Sequence, residues 1–380
     1  MPKLSYWEKE SFFKHIDVAI IGSGIVGLSA AIHLKEYAPN LRVVIFERGT
    51  LPIGASTRNA GFACFGSMTE LLDDLNNLGE DEVFTLVEKR WKGLLKLRSR
   101  VGDSQLKYQA LGGFELFRRE DTEDFQECSE QIDYFNTRLK EIIGHREVFK
   151  IKDEKIQVFG FQHIQHLIHN QAEGQIHTGE MMKALLEIAK AKDVQILNGI
   201  AIKKINDQAS EVILETSQGW KIESKKVLIA TNGFSKLLLP TQAIQPARNQ
   251  VIITKPIQKN SIRGCFHYDQ GYFYFRNIDG RILLGGGRNL AKQDEATAEF
   301  GSTDIIQSAL RDLLKNVILP NQAFEIESTW SGILSVGNTK HPIVKNISEN
   351  VVAAVRLGGM GVAIGSLAGE EGAKLMVKKL

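Results

Sequence analysis

Cysteine is scarce in this chain: Cys64, Cys128 and Cys265 are all that 380 residues contain. Three thiols, odd in number and far apart, exclude a disulfide framework and fit a reducing compartment. Charge of one sign is equally lacking. Lys and Arg number 47 against 45 Asp and Glu, a net +2, which gives no general electrostatic reason to bind nucleic acid or an anionic membrane. No apolar run suits a membrane span. The longest, residues 18–34, is short for one and contains Gly22, Gly24 and Gly27. Residues 351–368 are interrupted by Arg356 and rich in glycine. Residues 1–15 carry Glu8, Lys9, Glu10 and Lys14 and lack the apolar centre of a signal peptide. No internal repeat, low-complexity tract, C-x-x-C pair, nucleophile elbow or P-loop is found. The default reading is a soluble cytoplasmic protein.

What is present is an ordinary globular composition, 43% hydrophobic and 24% charged. The length suits two domains and a large core. Residues 17–47 read as a βαβ unit, with an apolar strand at 18–21, a glycine turn, a helix through about Tyr37, and a second strand at 42–46. Residues 50–67 are loop-like. Residues 68–142 look mostly helical, apart from a strand-like piece at 114–117. Residues 181–191 and 305–316 suit helices. Short strands are expected within 194–214, a buried strand at 226–230, and a strand-rich region over 250–284. Strands at 324–334 and 351–354 and a last helix over 361–379 complete the reading. Dinucleotide-type elements at the start, middle and end imply a domain assembled from separated segments, with a second domain inserted twice.

Gly22, Gly24 and Gly27 form G-x-G-x-x-G, with Ile25 and Val26 opening the helix. The first glycine permits the tight turn, the second lets backbone approach a pyrophosphate, and the third lets helix and strand pack closely. The helix N-terminus offers free N–H groups and partial positive charge to phosphates. Glu47 ends the second strand, 20 residues after Gly27, where a carboxylate can accept both ribose hydroxyls. Strand, glycines, helix, strand and acid in register point to a dinucleotide. The acid argues against a 2′-phosphate and so against NADP, leaving NAD or FAD.

The segment after the acid, with Ala55, Ser56, Arg58, Asn59, Ala60 and Gly61, bears on that choice. With it the chain resembles the D-amino-acid oxidase-type FAD oxidoreductases, the group that also holds glycine oxidase, sarcosine oxidase and gamma-glutamylputrescine oxidase. The resemblance rests on the glycine motif, the acid and the G-A-S-x-R-N-x-G segment at 54–61. It also rests on Ala230-Thr231-Asn232-Gly233, on Trp330-Ser331-Gly332 with Pro342, and on Gly358-Gly359-Met360-Gly361. These occur in order over nearly the whole chain and are specific to the family, not to one substrate.

The resemblance implies an α/β fold. An FAD-binding Rossmann-like domain would take residues 1–75, 175–238 and 325–380. A substrate domain, an antiparallel sheet with helices, would take 76–174 and 239–324. It implies that Glu47 binds the adenosine ribose with Arg48 beside the adenine, and that Ile202 offers backbone to the adenine. Ser56, Arg58 and Asn59 would line the pyrophosphate and flavin edge, Thr231, Asn232 and Gly233 would pass close to the cofactor, and Gly332 would lie beside it. Gly358, Gly359, Met360, Gly361 and Val362 would open the last helix against the flavin N1–C2=O region, where negative charge appears on reduction. The plainer alternative for each is a cap or tight turn that the fold requires anyway. Attachment of FAD is expected to be non-covalent: Cys64 lies just after the early turn and Cys265 too far before the usual late position. No metal is expected.

Family members oxidise a C–N bond by hydride transfer from the adjacent carbon to flavin N5, giving an imine that water hydrolyses. The amine must be neutral, and an apolar, aromatic pocket disfavours its cation. Tyr272, Tyr274 and Arg276 alternate onto one face of a strand that borders the substrate cavity in the family, and are expected to line it. A half-buried strand with its polar face to water is the alternative. Two departures matter. The arginine that relatives carry in W-x-G-x-R, where it forks onto a substrate carboxylate, is Leu334 here. Conversely, Arg356 stands where relatives have a glycine. Arg356 is a candidate to replace the missing clamp, to meet a flavin carbonyl, or to pair with an acid between domains.

Around 274–281 the pattern looks most like polyamine-conjugate oxidases, which tilts the expectation toward a secondary or primary amine. The expected partners are therefore a small amine or amino acid and an electron acceptor, oxygen or another. A flavin 2-hydroxy acid or polyol-phosphate dehydrogenase is the first alternative, and a non-catalytic FAD subunit another. A tRNA-modification flavin enzyme is a third, against which near-neutral charge and the lack of a second catalytic domain count. His163, His166 and His169, taken as helical, do not share a face and read as surface histidines. His177 and Thr178 read as helix caps.

Overall fold

A computed structural model describes residues 3–377. The last helix runs Gly361–Val377, and the expected extension to Lys379 lies outside the described residues. A central sheet orders Val351–Val355, Lys221–Ile229, Ile16–Ile21, Val43–Glu47 and Gln195–Asn198 as parallel neighbours. Ile343–Asn346 adds antiparallel at one edge. Ile202–Asp207 and Val212–Thr216 form a hairpin that joins the start of Lys221–Ile229. Alternation divides each buried strand between two layers. Val18 and Ile20 face the helices Ile25–Tyr37, Thr178–Ala191 and Gly361–Val377, whereas Ala19 and Ile21 face the hairpin through Val212 and Leu214. Covering both faces explains why these strands read as continuous apolar runs.

The second sheet runs Ile326–Val336, Gln245–Thr254, Arg281–Gly286, Phe273–Ile278, Cys265–Tyr268, Gly113–Arg118, Ile164–Asn170, Phe149–Ile151. All its pairs are antiparallel except Cys265–Tyr268 with Gly113–Arg118. One face packs Phe266, Phe275, Ile282 and Leu284 under the amphipathic helix Asp304–Leu313. The other face turns Val251, Leu283 and Tyr274 toward Ala60 and Phe62 of the early loop.

Two boundaries expected from sequence are corrected. Ile326–Val336 belongs to the second sheet, because it pairs with Gln245–Thr254 from Val336 opposite Gln245 to Ile326 opposite Thr254. The chain therefore returns to the first sheet only at Ile343–Asn346. Helix Glu80–Val101 contributes Leu86, Leu94 and Leu97 to the first core. Its Gly93 lies so close to the last helix that a Cβ would meet the Ala363 carbonyl oxygen at 2.3 Å. His166 and His169 differ from the helical reading, since Ile164–Asn170 is a strand, whereas His163 precedes it and is exposed as expected. His166 binds Asp153 at 2.8 Å and stacks on Phe125. His169 packs on Phe114, and burial lowers its pKa to about 4.

Candidate functional site

Two cavities adjoin between the sheets. The first, about 280 Å³, follows the glycine motif from Glu47 and Arg48 past Ser56 to Gly361. The second, about 390 Å³, is floored by the second sheet. They share Ala55, Asn59, Leu334, Gly359 and Val362 as walls.

The glycines of the motif are required by contact. Gly22 has φ +103°, and a Cβ on Gly27 would stand 2.0 Å from the Gly22 carbonyl oxygen. A Cβ on Gly24 would meet the Ser56 hydroxyl at 2.9 Å. That hydroxyl accepts the Ile25 N–H at 3.0 Å, so Ser56 tethers the helix start across the cavity. Val26 lines the same cavity. Glu47 is buried and oriented from both sides. Its Oε2 accepts from the Ser23 N–H at 3.0 Å and the Ser23 hydroxyl at 2.8 Å, and its Oε1 from the Gly49 N–H at 3.0 Å. Each carboxylate oxygen offers about two acceptor sites, so capacity for further hydroxyl donors remains on Oε1. Arg48 stacks its guanidinium over the Phe234 ring at 3.5 Å, and Ile202 lies in the same wall. Thr231, Asn232 and Gly233 also line this cavity. Asn232, at φ +40°, accepts the Leu357 N–H at 3.3 Å, and a Cβ on Gly233 would strike the Leu334 carbonyl oxygen at 2.4 Å.

Asn59 and Arg58, both in the cavity walls, are held by protein partners. The Asn59 amide donates to Ala55 and Ser56 carbonyls at 3.0 Å each, and its oxygen accepts from the Gly61 N–H at 2.8 Å and the Thr178 hydroxyl at 3.0 Å. All its polar capacity goes into shaping the turn, whose backbone walls the cavities. Arg58 donates to the Ser331 carbonyl at 3.0 Å and lies over Phe300. It clamps the loop to the second sheet and lines the second cavity. Gly332 lies against the Arg58 Cβ and lines the second cavity. His177 caps its helix through Nδ1 and the Glu180 N–H.

Gly358 and Gly359, at φ +58° and +86°, turn the chain into helix Gly361–Val377 where the cavities adjoin. The helix directs its N-terminal N–H groups and partial positive charge there, with Met360 and Val362 as walls.

Tyr272 and Tyr274 line the second cavity. A Cβ on Gly285 would lie 2.7 Å from the Tyr274 hydroxyl, so the missing side chain makes room for that ring. Burial pushes the Tyr274 phenol up to about 12, so it stays neutral. Arg276 and Arg356 are corrected. One terminal nitrogen of Arg276 donates to the Ala60 and Gly61 carbonyls at 3.1 Å and to that of Ile176 at 2.7 Å. The strand alternation puts Arg276 on the inner face, but its length carries the guanidinium behind the Asn59 turn and out of both cavities. Arg356, at φ +62°, binds the carbonyls of Ala243 at 3.1 Å and His341 at 3.0 Å and the Thr339 hydroxyl at 2.9 Å. It staples the 337–341 loop and lines neither cavity.

Sequence reasoning missed His267 and Arg288, both in the second cavity wall. His267 faces Tyr274 across the strand pair. Its Nε2 lies 2.9 Å from buried Glu173. Burial opposes its charge, but Glu173, with Glu70 and Glu115 nearby, outweighs that and lifts the pKa to about 9. Cys64 completes a group with Glu173 and His267 whose ligand atoms lie within 4.8 Å of one another, the spacing of a metal set. Within this group His267 and Glu173 are hydrogen-bonded to each other, whereas the Cys64 thiol, pushed well up by burial, faces the Met360 sulfur at 3.9 Å.

The fold is a mixed α/β architecture with a glycine-motif cavity beside a sheet-floored second cavity, the arrangement of an FAD-binding oxidoreductase. The chain belongs to the FAD dependent oxidoreductase (DAO) family, whose model matches residues 17–375. It is 25% identical to a probable oxidoreductase OrdL of Rhizobium meliloti (strain 1021), covering 96% of this chain and 83% of the relative. It is 23% identical to gamma-glutamylputrescine oxidoreductase of Escherichia coli (strain K12), covering 95% and 83%. A glycine oxidase from Geobacillus kaustophilus has the same fold, with TM-score 0.75 at 18% identity over 96% of this chain and 95% of that one. An FAD-dependent oxidase or dehydrogenase follows from the family. Among the described residues no helix is long and apolar enough to cross a membrane.

Proposed function

We propose that this protein oxidises a C–N bond of a small amine or amino acid, with FAD held non-covalently along the first cavity and substrate in the second. The observation that carries the reading is the common wall: the Asn59 turn and the Gly359–Val362 segment border both spaces. The donor set fits FAD. Glu47 would take ribose hydroxyls, the Gly22–Gly27 turn the pyrophosphate, and the last helix the flavin pyrimidine edge.

Bound FAD supplies the hydride acceptor; this chain supplies place and polarity. Tyr272 and Tyr274 give a wall with phenol donors, and the neutral Tyr274 adds no charge beside the reacting carbon. Val251, Phe62 and Leu334 make the space partly apolar, which disfavours an ammonium and favours the neutral amine. Two carboxylates in the wall, Glu70 and Asp73, are partly engaged. Glu70 accepts the Ser67 N–H at 3.0 Å, and Asp73 lies 3.7 Å from Lys340.

The test is an anaerobic absorption titration of the FAD-loaded protein with amines, amino acids and 2-hydroxy acids. Bleaching by an amine or amino acid, with ammonia or a primary amine released, supports the reading. Bleaching by hydroxy acids alone refutes it. Acid precipitation should leave the flavin in the supernatant; flavin carried down with protein refutes non-covalent binding.

A further inference from the structure

We propose that Arg288 is the anion anchor of the second cavity, so that the substrate is an amine that also carries a carboxylate. This deepens the reading above and rests on it. Four cationic side chains line the cavity: Arg58, His267, Arg288 and Lys340. Three are committed. Arg58 serves the Ser331 carbonyl and the Phe300 face. His267 is bound to Glu173. Lys340 pairs with Asp74 at 2.5 Å. Arg288 alone is uncommitted. Among the described residues no carboxylate or carbonyl lies within bonding distance of its guanidinium; the residue is half-buried, and its guanidinium carbon lies 5.7 Å from the centre of the Tyr272 ring. Lys292, exposed and also without an acid partner, lies 5.6 Å from the same ring.

Two cations flank one aromatic residue of the cavity wall, which also holds the carboxylates Glu70 and Asp73. The half-buried member is a planar fork suited to a carboxylate. Gly287, at φ +74°, donates its N–H to the Tyr272 carbonyl at 2.9 Å, which places Arg288 directly beyond the end of the strand pair. Tyr272 and Arg288 are therefore set side by side by backbone, not by chance contact. The position at which relatives carry a carboxylate-binding arginine is Leu334 here, on a different strand. Among the described residues the cation without a hydrogen-bond or acid partner comes instead from the turn after Arg281–Gly286.

The experiment is calorimetric titration of the FAD-loaded protein with two matched pairs, benzoate with benzamide and propionate with propionamide. The wild type should bind each carboxylate at least tenfold more tightly than its amide. Arg288→Met should abolish that preference, Arg288→Lys should keep part of it, and Lys292→Ala should reduce it two- to threefold. Should Arg288→Met fail to load FAD, Arg288→Gln is read in its place. Equal binding of acid and amide by the wild type, or a preference that survives loss of Arg288, overturns the proposal. Flavin bleaching separates this failure from that of the C–N reading. Amines without a carboxylate that bleach the flavin as well as amino acids do sink the anchor alone. Carboxylate preference with bleaching only by hydroxy acids retains the anion site but overturns the amine.

Discussion

The buried pair of His267 and Glu173 ties the stability of this protein to pH, and the sign follows from geometry. His267 moves from an ordinary 6.5 to about 9 in the folded chain. Below pH 6.5 both folded and unfolded states hold the proton, and the full stabilisation is present. Between 6.5 and about 9 only the folded state holds it, so stability falls by about 1.4 kcal/mol per pH unit. Above about 9 the contribution is gone. Over that window the loss is on the order of 3 kcal/mol, a large share of the stability of an ordinary domain. The perturbation is His267→Gln, which keeps a donor toward Glu173 but cannot titrate. Urea unfolding of FAD-loaded wild type and variant at pH 6, 7.5 and 9.5 provides the comparison, since other titrating groups cancel in the difference. The wild-type advantage should shrink by on the order of 3 kcal/mol from the lowest to the highest pH. Parallel pH profiles would refute a charged His267. Glu173→Gln should flatten the trend, because burial then opposes the imidazolium with only Glu70 and Glu115 left to favour it.

Other substitutions separate holding the cofactor from shaping the site. Glu47→Gln should weaken FAD binding about tenfold or more, through loss of charge-assisted acceptors worth roughly 1.5–3 kcal/mol, as read by quenching of flavin fluorescence. Arg276→Met leaves three carbonyls without their shared donor. It should destabilise by about 2 kcal/mol or more and slow anaerobic flavin reduction, with Arg276→Lys recovering part of both. An unchanged rate would mean that the Asn59 turn keeps its shape unaided. Arg356→Met should lower the melting temperature while leaving carboxylate affinity as in the wild type; a selective loss of affinity would restore it to the substrate site.

The nucleotide half of the molecule was legible because its signals are local. Strand, glycines, helix, strand and acid lie within residues 16–47, and each glycine answers to a contact inside or beside that unit. The second cavity was less legible because its walls are assembled by strand register. Tyr274 could be put on the inner face by alternation. That His267 stands opposite it depends on pairing Cys265–Tyr268 with Phe273–Ile278, and its partner Glu173 comes from a loop about a hundred residues earlier. Length of side chain defeats the same alternation rule at Arg276, whose Cβ faces inward while its guanidinium ends under Ala60, Gly61 and Ile176.

Arg356 and Arg288 show how a motif can direct attention to the wrong charge. Arg356 stands at a position where the family pattern has glycine. The structure gives the backbone reason for that glycine, a φ of +62°, and gives Arg356 three partners outside the cavity. A non-glycine residue in that conformation carries strain of order 1 kcal/mol or more, which the bonds to Ala243, Thr339 and His341 help offset. Leu334 marks a lost cation because it falls inside a recognisable motif. Arg288 belongs to no motif, and nothing local distinguishes it from a surface arginine after a glycine turn. It becomes distinctive only when the cavity is assembled and the other cations in its wall are seen to be paired or engaged. A site residue defined by the absence of a partner is visible only in three dimensions, because a sequence shows which charges exist but not which are already neutralised.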